Sequence, residues 1–311
     1  MQSPKDIGPE LTTWYGSDRS RPVDLHLSSI YIQNSLKVDS PQMSRIQQCA
    51  AENKIVVVLG YSENIHNSLY IGQAIIGSDG KILTTRKKIK ATHMERTIFG
   101  DSPGDCLHSV VDTSVGRVGA LSCWEHIQPL LKYHTYSQRE QIHVAAWPPL
   151  FPANNDDDLF SISSEGMCLF LSLPMRDGGL EEQLTRSLGT SATARTYAIE
   201  SQSFVLHTTT VISQSGIDRM ATQPKALMST PGGGCSAIFG PDGRQLSQPI
   251  PSTEEGIIYA DLDLNQIYYS KAFVDVCGHY SRPDLLWLGV ESGIRTHVRD
   301  QAVVAAQEQP E

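Results

Sequence analysis

The chain has 311 residues, 40% of them hydrophobic, a formal net charge of −9, and no composition shift that divides it. That is enough apolar material for one core, and the acidic balance argues against a nucleic-acid or anionic-membrane partner. It has no apolar run of about 18 residues to span a membrane, and residues 1–10 lack the apolar stretch of a signal peptide. Six cysteines, at 49, 106, 123, 168, 235 and 277, contain no CxxC pair, which fits a reducing, cytoplasmic setting rather than a disulfide framework or zinc site.

Residues 55–60 (IVVVLG) are a continuous β-branched run, the pattern of a strand buried on both faces. Residues 69–76 (LYIGQAII) are a second strand, and Ser78-Asp79-Gly80 turns the chain into a third over 81–85, giving a hairpin. The basic cluster Arg86, Lys87, Lys88, Lys90 is flanked by apolar residues and reads as that strand's end. Residues 108–111 and 117–122 (RVGALS) are further strands, the second delivering Cys123. Pro129 suits the first turn of a helix, with Leu130, Leu131 and His134 on one face. Residues 142–147 (IHVAAW) form the next strand, stopped by Pro148 and Pro149. A helix over 192–203 and strands over 204–212, 235–239 and 256–262 continue an α/β rhythm. The polar, Ala/Gln-rich tail over 291–311 is expected to be flexible or used in assembly, leaving a domain over 1–290. Residues 167–189 (MCLFLSLPMRDGGLEEQLTRSLG) break this rhythm and show no clear element.

A nucleophilic cysteine needs partial exposure, a lowered pKa and a proton acceptor nearby. Cys123 follows an apolar strand and precedes a helix, a strand-to-turn placement like that of other nucleophile elbows. A cysteine ending an apolar strand is more often an inert core residue, so position alone leaves both readings open.

The stretch GALSCWEHIQPLLKYHTYSQREQIHVAAWP at 119–148 resembles the signature of fungal nitrilases, in the nitrilase branch of the carbon–nitrogen hydrolases. RPVD at 21–24, YIQNSL at 31–36, RKKIKATHMERTIFGD at 86–101, ARTYAIESQSFVLH at 194–207 and GHYSRPD at 278–284 match in the same order. The resemblance implies a four-layer αββα sandwich, here without its usual first strand and helix, as if the start site lay too far downstream. Such a chain would be expected to expose a sheet edge, with poor solubility and little activity.

The resemblance further implies Cys123 as nucleophile, Lys88 as the family's lysine and Glu95 as its second glutamate. Without it, Lys88 would read as a solvated strand-end lysine and Glu95 as a surface acid. The first glutamate, the general base, has Glu10 as its only nearby candidate, in Gly8-Pro9-Glu10 with a slightly short spacing to Arg21; coincidence is the alternative. Trp124, Glu125, His126 and Trp147 are expected to contact substrate. The implied reaction hydrolyses an organic nitrile to the carboxylic acid and ammonia through a cysteine thioimidate and thioester, with no metal or organic cofactor. His126, where the cyanide hydratase pattern carries asparagine, favours an arylacetonitrile-type substrate over hydrogen cyanide. The implied partner is a small-molecule nitrile, and the implied assembly a homo-oligomer of dimers extending into spirals. Alternatives are an impaired member acting as an assembly subunit, or a cyanide hydratase or amidase of the same superfamily. Removing 167–189 joins SISSEG to TSATARTYAIES as in the family, so the segment is read as a translated intron, with a surface insertion as the alternative.

Overall fold

In the computed structural model, which describes residues 25–148, 188–220 and 230–293, two helices lead into an antiparallel meander. Helix α1 spans Leu25–Asn34 and α2 spans Pro41–Asn53. The start of α2 is set by Ser40, whose hydroxyl accepts the Met43 N–H, and by Pro41, whose missing donor has no partner to lose in a first turn. Strands β1 (Val57–Ile65), β2 (Ser68–Ile76) and β3 (Ile82–Lys87) form one sheet in that order. Ile65 pairs with Ser68, so β1 and β2 are joined by His66 and Asn67 alone, both with positive φ (50° and 71°). Two left-handed residues match the twist of the strands they connect, and asparagine tolerates that conformation.

The second sheet has the order β4 (Val110–Thr113), β5 (Gly116–Ser122), β6 (Ile142–Trp147), β7 (Phe204–Thr209), β8 (Ala237–Phe239). Its three central strands are parallel and its outer pairs antiparallel. Parallel neighbours need a crossover. Helix α3 (Pro129–Ser137) lies in the one between β5 and β6, and α4 (Leu188–Ser201) precedes β7. Two further helices, α5 (Gln214–Met220) and α6 (Asn265–Phe273), follow.

The pleat of β2 shows how the layers stack. Ala74 and Ile76 point to Met43 and Ala50 of α2, while Ile75 points the other way, to Val118 and Ile142 of the second sheet. On that sheet's far face Leu121, Ala145, Val205 and Phe239 pack against Ala194, Tyr197 and Ala198 of α4. Alternating side chains thus give helix, sheet, sheet, helix, the expected αββα order.

Several boundaries differ from the sequence reading. Strand β1 runs on to Ile65 through Ser62, Glu63 and Asn64, because all nine of its residues find partners on β2. Strand β4 begins at Val110, since a 3-10 turn over Gly104–Leu107 occupies the approach. Strand β7 ends at Thr209, leaving Ile212 in an isolated bridge with Gly232. The strand expected over 256–262 does not form: its backbone joins no sheet among the described residues, and Ile257 and Tyr259 are 88% and 85% exposed. Only its far end is anchored, by Leu262 and Leu264 in the cluster between the sheets. Of residues 167–189, the last two belong to α4 and the others lie outside the described residues. Among the described residues no helix is long and apolar enough to cross a membrane.

Candidate active site

Strand β5 ends at Ser122, and Cys123 opens a 3-10 turn over Cys123–Ile127. Cys123 has φ of 53°, a left-handed conformation that costs a non-glycine residue about 1–3 kcal/mol and is retained where the surroundings over-determine it. The surroundings begin with Glu125. Its carboxylate accepts from the Ser122 N–H at 2.8 Å, the Ile89 N–H at 2.8 Å, and both terminal nitrogens of Arg86 at 2.7 and 2.9 Å. Arg86 also donates to the Gln73 carbonyl oxygen at 2.5 Å, and the Gln73 amide donates to the Leu121 carbonyl at 3.2 Å. Burial alone would raise the Glu125 carboxyl, but the Arg86 guanidinium and these hydrogen bonds outweigh it and hold the group below the ordinary glutamate value. Ser122 adjoins Cys123 and Ile89 adjoins Lys88, so one side chain spaces the cysteine turn from the lysine segment.

Lys88 follows β3 directly and is buried. Its ammonium donates to Glu95 Oε2 at 2.6 Å and to the Thr92 hydroxyl at 3.0 Å. The same Glu95 oxygen accepts the Thr92 N–H at 2.7 Å and its hydroxyl at 2.8 Å, at the entry to a 3-10 turn over His93–Thr97. On the Cys123 thiol the two charges act in opposite directions, Lys88 lowering it and Glu95 raising it. Cys123 is buried, not partly exposed as expected, because its turn folds into the cluster of Leu121, Trp147 and Tyr197. Burial pushes its thiol up to about 12, against the lowering effect of Lys88, so the resting group is a thiol that needs a base.

Two of the four expected substrate contacts are placed otherwise. Glu125 is 4% exposed with both oxygens engaged by protein donors, and His126 is 1% exposed with both ring nitrogens engaged. They hold the cysteine turn from behind. Trp124 and Trp147 form an edge-to-face pair with centroids 5.3 Å apart, packed on the cluster that contains Cys123. Arg86 is the residue that sequence reasoning missed: it reads as one of a run of basic side chains, and the clue was its alternation with Lys87, which sends it between the sheets. Glu10 lies outside the described residues. Among the described residues no three His, Cys, Asp or Glu side chains converge in a metal-binding group.

Residues 7–272 match the carbon–nitrogen hydrolase family. Two relatives named arylacetonitrilase, from Aspergillus kawachii and Aspergillus niger, are each 78% identical to the chain. The first match covers 289 residues, 93% of this chain and 81% of the relative; the second covers 286 residues, 92% and 80%. A solved carbon–nitrogen hydrolase from Helicobacter pylori G27 superimposes with a TM-score of 0.57 over 88% of this chain and 77% of its own, at 15% identity, a likeness of fold. By its matched length and by these relatives, the chain belongs to the carbon–nitrogen hydrolase family.

Proposed function

We propose that the chain is a nitrilase that converts an arylacetonitrile-type substrate to the carboxylic acid and ammonia, with Cys123 as nucleophile. The observation that carries the proposal is the Lys88–Glu95 pair, whose charges bear on the thiol of a cysteine held in a strained turn. The two relatives named arylacetonitrilase support the choice of substrate class. A resting thiol is a poor nucleophile, so a base must take its proton as sulfur attacks the nitrile carbon. Glu10 is proposed for that role, on its motif alone. The nitrile nitrogen gains negative charge as the carbon–sulfur bond forms, and the Lys88 ammonium stabilises it until a proton arrives to give the thioimidate. One water then adds to the thioimidate carbon and ammonia departs, leaving a thioester. A second water releases the acid and returns the thiol, so one nitrile consumes two waters.

Glu95 acts through Lys88, fixing its ammonium, and Trp124, the half-buried member of its edge-to-face pair with Trp147, offers an apolar surface suited to an aryl group. A homo-oligomeric assembly belongs to the same proposal. The test is ammonia release from phenylacetonitrile, benzonitrile, an aliphatic nitrile and cyanide, with Cys123→Ala as control. Phenylacetonitrile is expected to be turned over fastest and the alanine variant to be silent. Preference for cyanide, or equal silence of both proteins, would remove the reading.

A further inference from the structure

Behind the nucleophile runs a line of buried polar side chains that the proposed reaction does not use. His126 Nδ1 lies 2.7 Å from the Cys123 carbonyl oxygen, His126 Nε2 lies 3.0 Å from His143 Nε2, and His143 Nδ1 lies 2.8 Å from Glu140 Oε2. The Tyr197 hydroxyl donates to the other Glu140 oxygen at 2.5 Å. His126, His143, Glu140 and Tyr197 are all buried. We infer that Glu140, His143 and His126 form a directed hydrogen-bond chain that positions the nucleophile's peptide, and that Glu140 takes part as a donor, in its acid form.

The direction follows from the Cys123 end. A carbonyl oxygen only accepts, so His126 Nδ1 carries a proton. In a neutral His126 ring, Nε2 is then an acceptor, and the hydrogen in the contact between the two rings belongs to His143 Nε2. A neutral His143 with its proton there presents a lone pair at Nδ1, and the only way to complete that contact is a proton on Glu140 Oε2. An ionised Glu140 would instead require a charged imidazolium in the same interior. Burial drives both histidines well below the usual imidazole range, His143 further so through Arg86 and against the pull of Glu125. Burial also lifts Glu140 to about 8, with the Tyr197 hydrogen bond opposing it. All three shifts favour the neutral chain.

The backbone has been shaped to admit it. A Cβ at Gly119 of β5 would lie 2.0 Å from Glu140 Oε2, so the carboxyl occupies space that any larger residue would fill. Gly119 also pairs in register with His143, which puts the carboxyl and the ring over one rung of the ladder. At the near end the chain holds the Cys123 carbonyl. In a trans peptide the N–H points opposite to the C=O, and the Trp124 N–H, on that same peptide, lowers the Cys123 thiol and so favours its thiolate. Fixing the carbonyl therefore aims a donor at the reacting atom and stabilises the left-handed φ of Cys123.

Glutamine at 140 tests the assignment, because its amide N–H donates to His143 Nδ1 and its carbonyl accepts from Tyr197, as the acid does. Glu140→Gln is expected to keep kcat within about threefold of wild type, while Glu140→Ala loses about 100-fold in kcat with KM changed by less than about threefold. Gly119→Ala, which evicts the carboxyl without touching it chemically, is expected to repeat the alanine result. Glutamine as damaging as alanine, alanine without effect, or a loss confined to KM would each overturn the inference. Should the alanine variant fail to fold, the glutamine variant decides alone: retained kcat supports the acid form and a 100-fold loss refutes it. The inference rests on the nitrilase reading for its kinetic readout, so the alkylation rate of Cys123 by iodoacetamide is followed in parallel. Glutamine matching wild type and exceeding alanine in that rate, with no nitrile consumed by any protein, removes the nitrilase reading and keeps the chain. Equal alkylation of all three removes the chain.

Discussion

The two sides of Cys123 are built on opposite plans. On one side Glu95 is 27% exposed and holds a lysine side chain that is only 1% exposed, so the carboxylate of the pair reaches solvent while the ammonium is buried. On the other, Arg86 and Glu125 are 2% and 4% exposed, and the glutamate's oxygens are filled by donors from β3, the segment after it and the end of β5. A charge meant to respond to a reacting nitrogen has to keep a donor for it, and the Lys88 ammonium has three donors against the two acceptors Thr92 and Glu95. A charge meant to hold two sheets in register loses nothing by being fully engaged. Chemistry and geometry are thus divided across one residue, and substitutions on the two sides should have different effects.

The largest effect belongs to the atom between the two sides. Cys123→Ala removes the proposed nucleophile, and kcat is expected to fall by at least about 10⁴-fold while thermal unfolding stays close to wild type. Next comes the holding side. Glu125→Ala leaves the Arg86 guanidinium buried without its partner, and a loss of about 3–5 kcal/mol in unfolding free energy is expected. The acid dependence follows from the same pair. Glu125 has a folded pKa below its unfolded one, so its contribution is fully present above the ordinary glutamate range and disappears as pH falls through the lower folded value. Urea midpoints for wild type and Glu125→Ala should therefore converge on acidification; parallel curves would show that the carboxylate is not the stabilising species.

How much of this division could be read from the chain depends on how local each signal is. Strand β6 was legible to the residue because IHVAAW is apolar at every position but His143 and is closed by two prolines. The position of Cys123 at a strand end was legible too, since the strand and Pro129 bracket the turn. Residues 256–262 misled because an apolar run marks a strand only if another edge accepts it, and Ile257 and Tyr259 face outward without one. The surroundings of Glu125 and His126 were not legible: in sequence they stand beside Cys123, but both are buried with their polar side-chain atoms engaged by the protein. Glu140 lies just before β6 and His143 inside it, and neither stood out, although their i, i+3 spacing and a glycine in the middle of RVGALS were both signals.

On the reacting side, Lys88→Met keeps the length of the side chain and removes the charge. A loss of about 10²–10³-fold in kcat is expected, the usual consequence of deleting one preorganised donor to a developing anion. Stability should change far less than for Glu125→Ala, and a drop in unfolding free energy as large as that one would mean that Lys88 is a structural residue. The Glu95→Gln variant sharpens the point, because glutamine can still accept from the lysine but no longer carries the charge that draws it. Its kcat loss is expected to be smaller than that of Lys88→Met.

The smallest effect is expected just beyond the same segment, where Lys90 pairs with Asp101. Both side chains are well exposed, at 66% and 48%, so water solvates them almost as well apart as together. An exposed pair of this kind contributes about 0–1 kcal/mol and is screened by salt. Asp101 has a second task, since its other oxygen accepts the Ala91 N–H at 3.4 Å and so touches the backbone that carries Lys88 toward Glu95. If that contact matters, Asp101→Asn, which keeps an acceptor, and Asp101→Ala, which does not, should differ in kcat. The division argued above requires that they do not differ by more than about twofold. The lysine is already fixed by Glu95 and Thr92, and its segment by the Glu125 bond to Ile89, which leaves the exposed carboxylate no geometry to set.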